Sequence, residues 1–346
     1  MTSRMIPVLR ILAFTALIVP ASAEAQLGRT VDAGGRLFLH QGLGGVSIVE
    51  RGVAEPIDLP AGVDFKELTR LEGGWVATGT QPGEEGADLL ILARFHGRVE
   101  ILPSPVGGDV RERMFPVPFV DRGRLVGVAW LEGESVETFE VRVAEWSPEG
   151  WSESLVVSPR APGSQIAPAA AVLADGSWLL IWSAYDGEDT DIHWSIRRNG
   201  EWTRPARLHA DNAVPDIVPA LTVSGEGALA AWSNFDGSDY RLRTARFDGR
   251  QWLAGDYVGG PGTLFPRFSR SEGALAVLFK HAVPAAWTLL ELAEDGMPLR
   301  ELTVSDDSGV RPLVEGRTDA GVILEWPAAD LEAPGRRAAG AWQPPQ

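Results

Sequence analysis

Seven short apolar segments recur along the chain, and each comes directly after a glycine. Two of them, SWLLIWS and ALAAWS, are apolar on both faces, which is typical of a strand covered by neighbours on each side. The glycines lie 39 to 53 residues apart, at Gly35, Gly74, Gly123, Gly176, Gly227, Gly273 and Gly321. Self-similarity at this period, with several short strands in each unit, predicts a β-propeller.

The fourth repeat shows the predicted unit most clearly. Residues 165–172 (QIAPAAAV) form a first strand with a proline near its start, and SWLLIWS forms the second strand. An acidic, glycine-containing loop leads to DIHWSIRR, whose alternation predicts a third strand with one covered face. The Asn199-Gly200 pair is a strong hairpin signal, and a fourth strand begins at Trp202. The fifth repeat follows the same plan with DIVPALTV, ALAAWS and YRLRTARF.

We therefore predict an all-β fold, a single β-propeller of four-stranded blades over residues 26–346. Seven blades is the preferred count and six is the main alternative, because the first and last repeats depart from the common pattern. Tryptophans recur at the ends of second strands and the starts of fourth strands, and this regularity favours packing between blades over sugar stacking.

The first 25 residues predict a secretory signal peptide. Arg4 and Arg10 lie before a short apolar run, and small residues follow the run. Cleavage is expected after Ala23 or Ala25. The mature protein is expected in the periplasm or outside the cell. Cysteine is absent from the sequence, so disulfides, thiolate catalysis and cysteine-bound zinc are excluded.

Charge narrows the range of partners. The formal net charge is −16, which argues against nucleic-acid binding because that function requires basic patches. No second apolar run approaches the length of a membrane span. The acidity keeps an exported protein in solution, and it would also suit a cationic ligand or Ca²⁺.

The run from Trp182 to Ser195, followed by N-G-x-W-T-x-P at Asn199 to Pro205, resembles the repeats of sialidase-like (BNR-type) bacterial propellers. The repeats here are degenerate, because Asn199 stands where a sialidase Asp box has its aspartate. The resemblance implies the propeller fold. Sialidase chemistry would need a cluster of arginines on a substrate carboxylate, and Arg267 and Arg311, with Arg113 as a third, are candidates for that role.

Acidic loops supply the other candidate ligand-binding residues. In a propeller, the loops between second and third strands share a face with the connections between blades. That face gathers a set of aspartates, which are Asp186, Asp189, Asp191, Asp216, Asp236 and Asp239. Aspartates in glycine-containing loops can hold Ca²⁺, but Asp-Gly is first of all a turn former, and both interpretations stay open. We expect no cofactor, with Ca²⁺ at these loops as the one exception.

No catalytic motif accompanies the fold. The sequence lacks G-x-S-x-G and H-E-x-x-H, so a hydrolase nucleophile elbow and a zinc-protease helix have no support. We expect a non-catalytic module that binds a protein or glycan partner. The alternative is a glycoside hydrolase or lyase with carboxylates around the central channel, because partners from different blades can meet there.

Overall fold

In the computed structural model the chain is a β-propeller without a helix in its described part. The described residues are 29–33, 37–42, 45–50, 53–59, 61–83, 86–106, 111–158, 163–210, 212–271, 274–281, 286–304, 313–318, 321–326 and 338–340. No helix within these ranges could cross a membrane. The proposed signal peptide lies outside them.

The strands form seven antiparallel sheets, which we number as blades 1 to 7 in chain order. Blade 1 contains β1 (Arg29–Asp32), β2 (Leu37–Gly42), β3 (Gly45–Glu50) and β4 (Val53–Ile57). Blade 2 contains β5 (Asp64–Leu71), β6 (Gly74–Pro82), β7 (Ala87–Phe95) and β8 (Arg98–Leu102). Blade 3 contains β9 (Glu112–Asp121), β10 (Arg124–Gly133), β11 (Glu140–Ser147), β12 (Gly150–Trp151) and β13 (Leu155–Val156).

The remaining blades follow the same plan. Blade 4 contains β14 (Gln165–Val172), β15 (Trp178–Tyr185), β16 (Thr190–Arg198), β17 (Glu201–Trp202) and β18 (Ala206–Arg207). Blade 5 contains β19 (Asp216–Ser224), β20 (Gly227–Phe235), β21 (Tyr240–Phe247) and β22 (Trp252–Val258). Blade 6 contains β23 (Thr263–Ser271), β24 (Ala274–His281), β25 (Ala286–Leu292) and β26 (Pro298–Val304), and blade 7 contains β27 (Leu313–Thr318), β28 (Gly321–Trp326) and β29 (Ala338–Gly340).

The predicted all-β propeller is confirmed, and six of its sheets follow the four-stranded plan, with the fourth strand of blades 3 and 4 divided into two short segments. That number is the alternative count from the sequence. The seventh repeat forms a sheet of three strands within the described residues. First strands of successive blades contact one another in order, so they form the inner wall of the ring.

Tryptophans at the ends of the second strands lie in the interfaces between blades. Trp130, Trp182 and Trp232 are fully buried. Trp182 packs in a cluster built from blades 3 and 4, and Trp232 in one built from blades 4 and 5. Because they are among the largest buried side chains, each interface depends heavily on its tryptophan.

The recurring glycine has a steric reason that differs between blades. A Cβ on Gly227 would lie 1.9 Å from the carbonyl oxygen of Phe247 on the neighbouring strand, so no side chain fits there. Gly176 instead has a φ of +81°, which favours glycine in a tight turn.

In each of blades 3 to 6, one proline of the first strand sits at a β-bulge rather than at the strand end. The residues before these prolines have positive φ, at Phe115, Ala167, Val218 and Phe265, and the register shifts at each place. A bulge leaves one residue outside the ladder, so proline costs no ladder hydrogen bond there. The freed amides find partners in the preceding blade. Val218 N–H donates to Ser183 Oγ over 3.1 Å, and Phe265 N–H donates to Ser233 Oγ over 3.2 Å.

Candidate functional site

One end of the ring carries the loops between second and third strands and the connections between blades, and we call it the loop face. Here the structure brings together residues of blades 4 and 5. Oxygens of Asp186, Asp189 and Asp191 lie within 4.8 Å of one another. Ligand atoms of Asp191, His209 and Asp216 meet the same limit, so Asp191 joins the two groups.

Asp216 is a carboxylate saturated with donors. Its Oδ1 accepts hydrogen bonds from Trp232 Nε1 and Asn234 Nδ2, each over 2.6 Å. Its Oδ2 accepts from Asn212 Nδ2 over 2.9 Å and lies 2.9 Å from His209 Nε2. A carboxylate offers about four acceptor positions. Asp216, which is completely buried, therefore has its capacity taken up inside the protein.

His209 is held between two acceptors. Its ring stacks on Trp232 with centroids 5.5 Å apart, its Nε2 faces Asp216, and its Nδ1 lies 2.7 Å from the carbonyl oxygen of Ala210. Burial lowers the pKa of His209, but the hydrogen bond and charge of Asp216 and the Ala210 carbonyl outweigh it, so the pKa is raised. Both ring nitrogens face groups that only accept, and this geometry together with the raised pKa favours the imidazolium form of His209.

Arg207 bridges the aspartates of the blade 4 loop. Its Nη2 donates to Asp186 Oδ2 over 2.8 Å, and its Nε lies 2.7 Å from Asp191 Oδ2. Asp186 Oδ1 also accepts from the backbone N–H groups of Glu188 and Asp189. Burial raises the pKa of Asp186, but these backbone donors and Arg207 lower it further than burial raises it. The predicted acidic loop is thus an arginine-bridged turn.

The blade 5 loop is a smaller version of the same turn. Asp236 Oδ1 accepts from the hydroxyl and amide of Ser238 and from the amide of Asp239, and its Oδ2 lies 2.7 Å from Arg241 Nε. The Ser238 hydroxyl, then these amides and Arg241, hold the pKa of Asp236 well below its usual range. Asp239 Oδ1 accepts from the amide of Tyr240.

The predicted arginines are paired with carboxylates. Arg267 Nη1 lies 3.2 Å from Glu67 Oε1 on the inner strand of blade 2. Arg113 is buried and contacts Glu132 and Asp88, each over 3.0 Å. Arg311 lies outside the described residues. Arg113 and Arg267 are therefore paired with different carboxylates of the protein.

Sequence reasoning missed Arg243 and Tyr257. The guanidinium of Arg243 lies over the ring of Trp232 at 5.8 Å and beside the ring of Tyr257 at 5.7 Å. The Tyr257 hydroxyl donates to Asn234 Oδ1 over 2.6 Å, and Tyr257 is 46% exposed. The alternation in YRLRTARF already places Arg241 and Arg243 on one face, but the pairing of Arg243 with Trp232 and Tyr257 needs the strand register.

Five residues form a chain of contacts that reaches the surface at Tyr257, and we call this cluster the blade 5 cleft; they are His209, Asp216, Trp232, Arg243 and Tyr257. A cation bound between Asp191 and Asp216 would have to displace Arg207 or His209 from the carboxylates. Arg243 can donate hydrogen bonds to a ligand, and the Tyr257 hydroxyl can donate or accept one.

No family model and no curated protein matches the sequence. Among solved structures, an ulvan lyase of polysaccharide lyase family PL25 is similar with a TM-score of 0.54 and 11% identity, over 91% of this chain and 92% of that one. A protein of unknown function from Dyadobacter fermentans has a TM-score of 0.51 and 14% identity, over 76% and 90%. A puromycin-hydrolysing peptidase of Mycobacterium tuberculosis has a TM-score of 0.50 and 16% identity, over 86% of this chain and 48% of the peptidase.

These similarities establish the propeller fold. Structural neighbours of the chain include enzymes and a protein of unknown function. The sialidase-like type of repeat has no support from a family model.

Proposed function

We propose that this protein is an exported, non-catalytic β-propeller that binds a glycan or protein partner on its loop face, at the blade 5 cleft. One observation carries the proposal. The carboxylates that could act as acid, base or nucleophile in this region are bonded to internal donors, as Asp216 is to its four partners and Asp186 to Arg207 and two amides.

A catalytic carboxylate must be able to give or take a proton at the reacting atom. Asp216 accepts from internal donors on both of its oxygens, and each ring nitrogen of His209 already faces an acceptor. Because Asp216 and His209 are paired with groups inside the protein, the site favours ligand binding over proton transfer. Partly exposed Tyr257 and Arg243 border the cleft and present an aromatic face and a cation to a ligand.

The exported location rests on the N-terminal sequence, with its charged start, apolar run and small residues before position 26. Expression in a bacterial host, followed by fractionation and N-terminal sequencing, tests it. Mature protein beginning at residue 24 or 26 in the periplasm or medium is the expected result. Full-length protein retained in the cytoplasm would contradict it.

A second candidate is a polysaccharide lyase acting at the same cleft. Lyases of this kind remove a proton next to a uronate carboxylate, which needs a base and a cation on the carboxylate. The half-exposed Tyr257 hydroxyl and the Arg243 guanidinium are the groups that favour this candidate. The similar ulvan lyase has a solved structure bound to a glucuronate-rhamnose sulfate chain, which is a property of that protein.

The experiment that separates the two candidates combines binding and turnover. Purified protein is screened on a glycan array and is incubated with the same glycans, with reducing ends and unsaturated uronate products measured over a day. Binding without product supports the proposal. Product formation that disappears in Tyr257→Phe would establish the lyase instead.

A further inference from the structure

The position of Arg243 recurs in the repeat and can be compared between blades. In blades 3, 4 and 5 a basic side chain on the third strand pairs in register with the buried tryptophan of the second strand. The pairs are Trp130 with Arg142, Trp182 with His193, and Trp232 with Arg243. Blades 3 and 5 differ in the partner that the arginine has at this position.

In blade 3 the arginine has a carboxylate. Arg142 Nε lies 3.1 Å from Glu132 Oε1, and Glu132 stands two residues after Trp130, from which it also accepts the indole N–H over 3.2 Å. The carboxylate is 4% exposed, so this ion pair is largely shielded from water on the glutamate side. Glu132 is shared with Arg113 and Arg111, but it still gives the third-strand arginine a carboxylate partner.

In blade 5 the corresponding position holds an uncharged residue. Asn234 stands two residues after Trp232, its Nδ2 donates to Asp216, and its Oδ1 accepts from Tyr257. Arg243 has no carboxylate within ion-pair distance among the described residues. Its guanidinium is instead placed over the two aromatic rings, and the residue is partly exposed.

We propose that Arg243 binds the carboxylate of a uronate sugar, which takes the place that Glu132 has beside Arg142 in blade 3. A planar guanidinium matches a carboxylate with two parallel hydrogen bonds. The rings of Trp232 and Tyr257 hold the guanidinium in position, so less side-chain freedom is lost when the ligand binds.

Charge around the cleft selects a sugar over an acidic peptide. The loop face also carries the carboxylates of Asp186, Asp236 and Asp239, and the chain as a whole carries −16. An acidic peptide with several carboxylates would be repelled by these groups. A uronate has one carboxylate and several hydroxyl groups, which can donate hydrogen bonds to carboxylates that only accept.

This inference deepens the proposed function and rests on it for the location of the site. The test measures affinity by titration calorimetry for the methyl glycosides of glucuronate, galacturonate and mannuronate, which carry one carboxylate each, with the corresponding neutral methyl glycosides in parallel. Wild-type protein is compared with Arg243→Gln, Arg243→Lys and Arg246→Gln. Arg246 lies on the same strand but is exposed and separate from the cleft, so its variant is the matched control.

We expect at least one uronate glycoside to bind and the neutral glycosides to bind more weakly. Arg243→Gln should weaken uronate binding by about 10- to 100-fold, the loss expected for a charge-assisted pair of hydrogen bonds. Arg243→Lys should retain part of the affinity because it keeps the charge but not the fork. Arg246→Gln should bind like the wild type, and thermal melts should show that every variant is folded.

Two results would overturn the inference. One is the absence of binding to all three uronate glycosides, and the other is unchanged uronate affinity in folded Arg243→Gln. The failure of the non-catalytic proposal looks different, because it would be product formation from a bound oligosaccharide. In that case the difference in affinity between wild type and Arg243→Gln still decides the role of Arg243.

Discussion

Arg267 on the inner strand of blade 6 donates from Nη1 to Glu67 Oε1 on the inner strand of blade 2, over 3.2 Å and across 200 residues of sequence. These two blades are not neighbours in the ring, so the pair joins opposite parts of the inner wall. Arg267 Nη2 also donates to the carbonyl oxygen of Lys66. The sequence had suggested Arg267 as a ligand-binding residue, and the structure places its guanidinium on the protein's own carboxylate.

The first prediction concerns this pair. Both side chains are more than a third exposed, at 38% and 34%, so solvent screens their attraction. A double-mutant cycle with Arg267→Gln and Glu67→Gln should give a coupling free energy of about 0.5–1 kcal/mol in urea unfolding. The coupling should shrink in high salt. A zero coupling at low salt would mean that the pair contributes nothing to the stability of the ring.

A second prediction follows from the saturated carboxylate of Asp216. Asp216→Asn puts an NH₂ group where donors now converge, and it leaves the His209 charge without its partner. We expect a loss of about 3–5 kcal/mol in the free energy of unfolding, the usual cost of breaking a buried charge pair. The control is Glu188→Gln on the exposed part of the neighbouring loop, which should stay within about 0.5 kcal/mol of the wild type. A similar small loss in both variants would contradict the role assigned to Asp216.

The third prediction is a pH dependence from His209. Its pKa is raised in the folded protein, so its contribution to stability is full below the unfolded value near 6.5 and is lost as pH rises through the higher folded pKa. Urea unfolding of wild type and His209→Gln at several pH values from 5.5 to about 8.5 measures this. The stability difference between them should be largest at low pH and should fall as pH rises. A difference that grows with pH would refute the imidazolium assignment.

The fourth prediction tests the hydroxyl groups that link blades. Ser183 and Ser233 are completely buried and each accepts the amide of a positive-φ residue in the next blade. Replacing either serine with alanine leaves a buried amide unpaired, at a cost of about 1–3 kcal/mol each in unfolding free energy. Ser104→Ala on the exposed surface should have little effect. Stability equal to the wild type in both interior variants would show that the amides find other partners.

A fifth prediction concerns calcium at the acidic loops. Asp186 already accepts from Arg207 and two backbone amides, and Arg207 also contacts Asp191, so a bound ion would have to displace an internal donor. We expect the same melting temperature in EDTA and in millimolar Ca²⁺. Binding at a hundredfold excess over Kd would add about 2.7 kcal/mol of stability. A rise of several degrees in Ca²⁺, absent in Asp186→Asn, would therefore contradict the prediction.

Much of the fold could be predicted because its signals are local. Proline in the first strand, the glycine before the second strand and the Asn199-Gly200 turn each act over a few residues and recur with the repeat. The number of four-stranded blades was harder to predict. Terminal repeats diverge from the pattern, and a repeat visible in the sequence does not show how many of its strands pair.

The candidate site was only partly accessible from the sequence. The acidic loops and the connections between blades predict that the aspartates share one face, and in the structure ligand atoms of Asp191 and Asp216 lie within 4.8 Å of each other. The partners of these groups depend on register and on contacts between blades. Three different strands carry Arg243, Tyr257 and Asn234. Which of their residues face one another depends on the register of these strands, and the sequence alone does not give that register.

The serine and proline links between blades define the unit in which this ring can be duplicated or redesigned. A segment cut at the sheet boundaries, such as residues 165–210, separates Ser183 from Val218, its partner in the following blade. A segment that runs from one second strand to the next first strand keeps the acceptor and the bulged proline strand together. Designers who add or remove a blade should therefore exchange a segment that runs from one second strand to the next first strand. Only that choice keeps each serine and the amide that it accepts in the same segment.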